Sequence, residues 1–448
     1  MTVADEAPPA VEPAPSSPSS SPSWRDADIL LPEGSRILHI GPPKTGTTAL
    51  QSAFHSNRPS LEAQGVHYAG QGRHPMTSVL AGIQHASPWT DNKRPPSRFN
   101  WDRLLVDIRG SKASRVVLSS EFFADATPEA IKRVVDELDP DRVQVVVTLR
   151  PLAKIMPSQW QQFVQNQLVQ GFDSWVDGLL NEPRGKITPV FWRRHRHDEL
   201  VARWVDVVGP DRVTIVALDD ADRDMVLRVF ERLTGVREGT LVSEPDLANR
   251  SMTVAEIEVI RAFNVQYRAQ KLPVPLYSRI MRFGAAQDMR MRPTEPDEAK
   301  LELPAWSVEP ISNLAREMLA SVRATGARIV GDLDALAAVK TSRTPEGDAA
   351  NAGTTAHVSP EVAASAAMGV LVASGLVRGT GRIEASNENG RDPKGKLLHA
   401  PRPVQEPPEL MRISTSQLGV VILRRARGAL YDRLGGLNPM RYLPGRRR

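Results

Sequence analysis

The sequence predicts an α/β fold: a parallel sheet of about five strands with helices on both faces, followed by a helical C-terminal part. Two observations lead there. Short, nearly continuous apolar runs, Ile37–Ile40, Gly65–Tyr68, Arg115–Leu118, Val143–Leu149 and Val213–Leu218, alternate with longer helical stretches. Strands buried on both faces read this way, whereas half-exposed strands alternate polar with apolar residues. The first run also ends in a tight Gly41-Pro42-Pro43 turn and a glycine-bearing loop before a helical start at Ala49-Leu50-Gln51. In that strand–loop–helix order the loop N–H groups and the positive end of the helix dipole converge on one place, where an anion fits.

The chain of 448 residues allows about two or three domains, and its 41% hydrophobic content supplies a sizeable core. It contains no cysteine, which excludes disulfides, thiolate zinc sites and cysteine nucleophiles. Lys+Arg exceeds Asp+Glu by only five, 57 against 52, and much of the excess lies near the C-terminus, so no nucleic-acid partner is expected. Residues 1–34 open acidic and turn Pro/Ser-rich, without the basic start and apolar centre of a secretory signal; a disordered arm is expected. No run approaches the roughly 18 apolar residues of a membrane span, and a cytoplasmic location is expected.

Along the chain, helix continues from Ala49 to His55, a short helical piece covers Ser60–Gln64, and another helix begins near Met76. Ser87–Arg98, SPWTDNKRPPSR, reads as a charged, proline-rich surface flap. Trp101–Arg109 has amphipathic helical spacing. Thr127-Pro128 is a helix start, with threonine as N-cap and proline at the first helical position. A long helical stretch follows Arg150-Pro151, and from Arg223 to about Lys340 the pattern is helical again, with Thr253 and Glu256 spaced as a capping box. One domain over residues 35–340 is therefore expected, a core over 35–220 and a helical part over 221–340. A linker over 341–410 with one helix near 360–377, and a basic amphipathic tail over 411–448, complete the chain.

The loop after the first strand departs from the common phosphate loop. Gly41 and Gly46 lie five apart, as in GxxxxGK[ST], but Thr47 stands where that motif has its lysine, and Lys44 lies inside the turn. The run Gly41-Pro42-Pro43-Lys44-Thr45-Gly46-Thr47-Thr48 fits G-x-x-K-[TS]-G-[TS]-[TS]. It resembles the 5′-phosphosulfate loop of sulfotransferases that use 3′-phosphoadenosine 5′-phosphosulfate (PAPS). A glycine turn in an unrelated α/β protein and an ordinary nucleoside-triphosphate site are the alternatives. Arg150 stands at the carboxyl end of the most strand-like run, where ligands of open α/β sheets bind, and Ser158 follows eight residues later in the next helix. The spacing resembles the Arg…Ser pair that holds the 3′-phosphate of PAPS in that family; a structural arginine is the alternative. A phosphate dianion suits a planar guanidinium plus a hydroxyl, each charge-assisted bond being worth roughly 1.5–3 kcal/mol.

Together the motifs resemble the PAPS-dependent sulfotransferases, most of all the bacterial, carbohydrate-type members, over roughly Arg36 to Asp220, with Asn249-Arg250-Ser251 as a later echo. The resemblance implies a P-loop-like three-layer fold and transfer of a sulfuryl group from PAPS to a hydroxyl of a carbohydrate, glycolipid or small-metabolite acceptor, with release of PAP. It implies that Lys44 holds the 5′-phosphosulfate and its leaving oxygen. Pro43 shares that turn, and Thr45, Gly46, Thr47 and Thr48 offer amide and hydroxyl donors to the same group. Arg150, Ser158 and Arg250 are implied at the 3′-phosphate. In-line sulfuryl transfer needs positioning and charge stabilisation more than covalent help, so no metal is expected.

A base must take the acceptor's proton. Glu121, in VVLSSE at the end of the third strand, stands on the correct edge of the sheet for it; a helix cap or a salt-bridged surface acid is the alternative. His74, in GRHPM, is the second candidate, or else a residue of the acceptor cleft or a loop. The short histidine motif of the cytosolic small-molecule members is missing. His39 reads as a core histidine, and Trp160, Trp175 and Trp192 as core aromatics before acceptor platforms. Arg193–His197, RRHRH, reads as a solvated helix face before a grip on an anionic acceptor. Leu418–Leu434 has apolar and arginine faces and either packs on the domain or makes peripheral contact with an anionic membrane. Two other classes stay open: a P-loop kinase or NTPase, and a non-catalytic PAPS-fold binding protein.

Overall fold

A computed structural model describes residues 28–86, 94–182, 185, 188–242, 250–296, 298–339 and 358–374. All of β1 (Arg36–Ile40), β3 (Arg115–Ser119) and β5 (Val213–Ala217) is buried, and β4 (Val143–Leu149) is buried except at Gln144. Successive side chains of a strand take opposite faces. Leu38 and Ile40 of β1 and Val145, Val147 and Leu149 of β4 enter one core. There they meet Trp101, Ile131 and Trp204 from the helices Arg98–Gly110, Pro128–Glu137 and His197–Val208. Ile37, Val146 and Val216 enter the other core, against Phe54 of the helix Thr47–Ser56 and Phe230 of the helix Met225–Thr234. The sheet thus lies between two helical layers.

The sheet has six strands, one more than the five runs read from the sequence, all parallel in the order β2-β3-β1-β4-β5-β6, with β2 at Val66–Tyr68. The extra strand, β6 (Arg328–Val330), pairs with β5 through Ile215 and Ile329. It falls in the stretch expected to be wholly helical, because three residues give no readable period. The chain also joins the core earlier than residue 35: Ile29 and Leu31 are buried, and Leu31 N–H donates to the Leu233 carbonyl at 3.0 Å.

The helix starts follow their local chemistry. Thr127 Oγ1 accepts from the N–H of Ala130, and Thr253 and Glu256 make both bonds of a capping box. Further on, Val274–Tyr277 runs into a π-helix at Ser278–Ala285 and then into Ala286–Met291. The helix Pro360–Ser374 packs on that π-helix at two glycines: a Cβ at Gly284 would meet the Gly369 carbonyl oxygen at 2.7 Å. Residues 87–93 of the expected flap, most of the linker and the whole tail over 411–448 lie outside the described residues. No helix among the described residues is long and apolar enough to cross a membrane.

The RRHRH run is not a solvated face. The helix Val190–His195 breaks at Arg196 before the next begins at His197, and both His195 and His197 turn inward, at 0% and 2% exposure. Arg194 clamps the buried Asp125 carboxylate with bonds of 2.7 and 2.6 Å. Trp160, Trp175 and Trp192 are core residues, the last two donating to Thr188 Oγ1 and the Leu179 carbonyl.

Burial drives His195 well below its ordinary pKa and His197 down to about 4. Both are neutral in the folded chain, whereas the unfolded chain takes up protons near pH 6.5. Stability is therefore lost as pH falls from about 6.5 towards 4, at up to about 1.4 kcal/mol per pH unit for each histidine. Urea unfolding at a series of pH values checks this: His197→Phe should flatten the acid limb, and an unchanged slope would contradict it.

Candidate active site

β1 lies between β3 and β4, so the chain leaves it where the strand order reverses, the place where the crevice of an open α/β sheet forms. The Gly41–Gly46 loop is fastened from below. Thr47 Oγ1 donates to the Gly41 carbonyl at 3.0 Å, and a Cβ on Gly41 would lie 2.0 Å from that oxygen, so only glycine fits. Thr45 Oγ1 donates to the Pro42 carbonyl at 2.8 Å, which leaves Thr148 Oγ1 to donate to Thr45 Oγ1 at 2.9 Å. Thr148 then accepts from His39 Nε2 at 3.1 Å, and His39 Nδ1 accepts from Ser119 Oγ at 2.8 Å. Burial holds His39 down to about 3, so the ring is neutral and this tautomer is the one the hydroxyls select. His39 is a core residue with both nitrogens bonded, as expected.

Above this network the backbone turns through the left-handed region at Lys44 (φ 76°) and Gly46 (φ 79°). The helix Thr47–Ser56 starts from Gly46 without a side-chain cap, which leaves its first-turn N–H groups for a ligand. Thr48 is exposed on that turn, and Pro43 is half-buried before it.

Lys44, Ser158 and Arg250 line one polar pocket of about 120 Å³, together with Gln161, Gln165, Ser251 and Arg290. Gln161 is locked by reciprocal bonds to the Met252 backbone, and Gln165 Oε1 accepts from Arg290 Nη2. Arg250 forks onto the buried Glu256 at 2.8 and 2.7 Å, and its Nε is buried without a partner. Burial, then Arg290 and Arg150, lower the Lys44 ammonium to about 8, with Glu121 opposing them weakly. Positive charge is in surplus at this end of the sheet.

Arg150 stands directly after β4, at its carboxyl end. Its Nε pairs with Asp220 Oδ1 at 2.6 Å and its Nη1 donates to the Lys44 carbonyl at 3.2 Å, so it braces the loop and is not among the residues lining the pocket. Three pocket residues were missing from the sequence reading. Gln161 and Gln165 follow Ser158 by three and seven residues on the helix Leu152–Val164 and its C-cap, a spacing that puts them on one face, so they could have been found. Arg290 gave no such signal.

Glu121 and His74, the two base candidates, are neighbours. His74 Nε2 lies 2.9 Å from Ser120 Oγ and 3.3 Å from Glu121 Oε2, and its ring stacks on Phe122. Glu121 Oε2 is buried and accepts no hydrogen bond within the folded chain.

No family model and no curated protein sequence matches the chain. Among solved structures it is similar to a sulfotransferase from Alicyclobacillus acidocaldarius, at 18% identity over 56% of this chain and 99% of that one, with a TM-score of 0.35. A likeness of that size carries no argument.

Proposed function

We propose that this chain is a sulfotransferase that takes a sulfuryl group from PAPS and passes it to a hydroxyl of a carbohydrate, glycolipid or small-metabolite acceptor. The observation in its support is that Lys44, Ser158 and Arg250, far apart in sequence, line a single cation-rich pocket. PAPS supplies the sulfuryl group and leaves as PAP. Lys44 and the first-turn N–H groups of Thr47 and Thr48 neutralise charge on the leaving oxygen. Ser158, Arg250 and Arg290 hold the phosphate at the other end of the nucleotide, while Asp220 and Arg150 fix the loop. Glu121, with His74 beside it, takes the acceptor's proton.

Calorimetric titration with PAP, with ATP and Mg²⁺ as the comparison, tests this. Lys44 is charged below about pH 8 and neutral above it, whereas a phosphate monoester stays dianionic throughout this range, its second ionisation lying near 6. PAP affinity should therefore be highest below pH 8 and fall about tenfold between pH 7 and 9 as the ammonium is lost. Tighter binding of ATP with Mg²⁺, or PAP affinity flat across that range, would instead favour a nucleotide triphosphate enzyme or no nucleotide site here.

A further inference from the structure

One edge of the helical part is exposed in a way that folding alone does not explain. All six residues of Lys271–Leu276, KLPVPL, are exposed, among them Leu272, Val274 and Leu276 at 39, 44 and 42%. Across Tyr277, which ends the preceding helix, and the π-helix that follows, Tyr277, Met281 and Ala285 recur every fourth residue and are buried, so Arg279 and Phe283, at the same interval, face outward. Phe283 is 45% exposed with the Arg282 guanidinium over its ring at 5.0 Å. The helix packed on this segment adds exposed Met368 and Leu371. Between Glu258 and Asp288 the sequence has no carboxylate, yet besides Arg261, which pairs with Glu258, it carries Arg268, Lys271, Arg279 and Arg282. Grouped exposed apolar side chains of this kind mark a contact surface.

We propose that this edge docks on an anionic membrane surface. Leu272, Val274, Leu276 and Phe283 enter the headgroup layer, and Arg268, Lys271, Arg279 and Arg282 lie against lipid phosphates. The charge identifies the occupant: cations without a single carboxylate among them complement an anionic bilayer, to which each basic residue adds attraction. Six successive exposed residues form a continuous edge, to which a fluid lipid layer conforms; a protein partner would have to bring a matching surface lined with acids. The arginine-rich segment 411–448 has the same sign of charge and does not complement it. Docking is independent of sulfuryl transfer and stands or falls separately.

The absence of native cysteine makes the test clean. Leu276→Cys carrying an environment-sensitive dye reports on this edge alone. Its emission should rise and shift to the blue on vesicles of phosphatidylglycerol in phosphatidylcholine, less so in high salt, and not at all on phosphatidylcholine. In co-sedimentation of the full chain, the triple change Leu272→Asp, Leu276→Asp and Phe283→Asp should cut the bound fraction at least about tenfold. Neutralising Arg446, Arg447 and Arg448 to Gln should cut it less than the triple change does. A silent dye, an equal response to phosphatidylcholine, or a triple variant that binds like the parent would overturn the proposal. Binding abolished by the arginine changes alone would assign contact to the tail and overturn it too.

Discussion

Lys44→Ala should lower sulfuryl transfer by about 10²–10³-fold, the cost of removing one charged donor from the place where negative charge develops. The measurement is PAP release from labelled PAPS, using an acceptor found by screening. The lysine is the one residue that belongs both to the loop after β1 and to the pocket with Ser158, Arg250 and Arg290. Burial first, and then Arg290 and Arg150, depress it to about 8, so an anion that relieves the repulsion among the three cations binds more tightly than to an isolated ammonium. The loop is held by Thr45, Thr47 and Thr148, none of which bonds through the lysine side chain. The melting temperature should therefore hold while turnover is lost. Transfer at the parent rate by this variant would remove the basis for the proposed function.

The second large effect concerns the proton. Glu121→Gln keeps the volume of the side chain but loses its basicity, and turnover should fall by about 10²–10⁴-fold with PAP affinity unchanged. Glu121 Oε2 is buried, bears no hydrogen bond and has His74 Nε2 at 3.3 Å. His74→Ala should cost less and should alter the pH profile, because the imidazole acts through the carboxylate. If His74 were the base, the ranking would reverse, with His74→Ala nearly inactive and Glu121→Gln mild. A binding protein without catalysis would show PAP binding and no transfer in any variant.

The central strands were legible in the sequence because burial on both faces forces uninterrupted runs such as Val143–Leu149. The sixth was not: Arg328–Val330 is too short to have a period, and it forms because β5 offers an open edge. The loop was legible because its geometry needs particular residues, above all Gly41 against Thr47 Oγ1. The partners of its charges were not, since Asp220 meets Arg150, and Arg290 meets Gln165, only after the chain has folded back. The RRHRH run misled because composition suggested a wet surface. A break between two helices turned His195 and His197 inward, and Asp125, 69 residues before Arg194, drew that guanidinium to itself.

The backbone of Lys44, at φ 76°, occupies ground that glycine holds without strain and lysine holds at roughly 1–2 kcal/mol. At this one position robustness to heat and usefulness pull in opposite directions. A lineage selected only for surviving high temperature would drift to glycine there and fall silent. Retention of the lysine in a heat-adapted relative would be a sign that the loop is still in use.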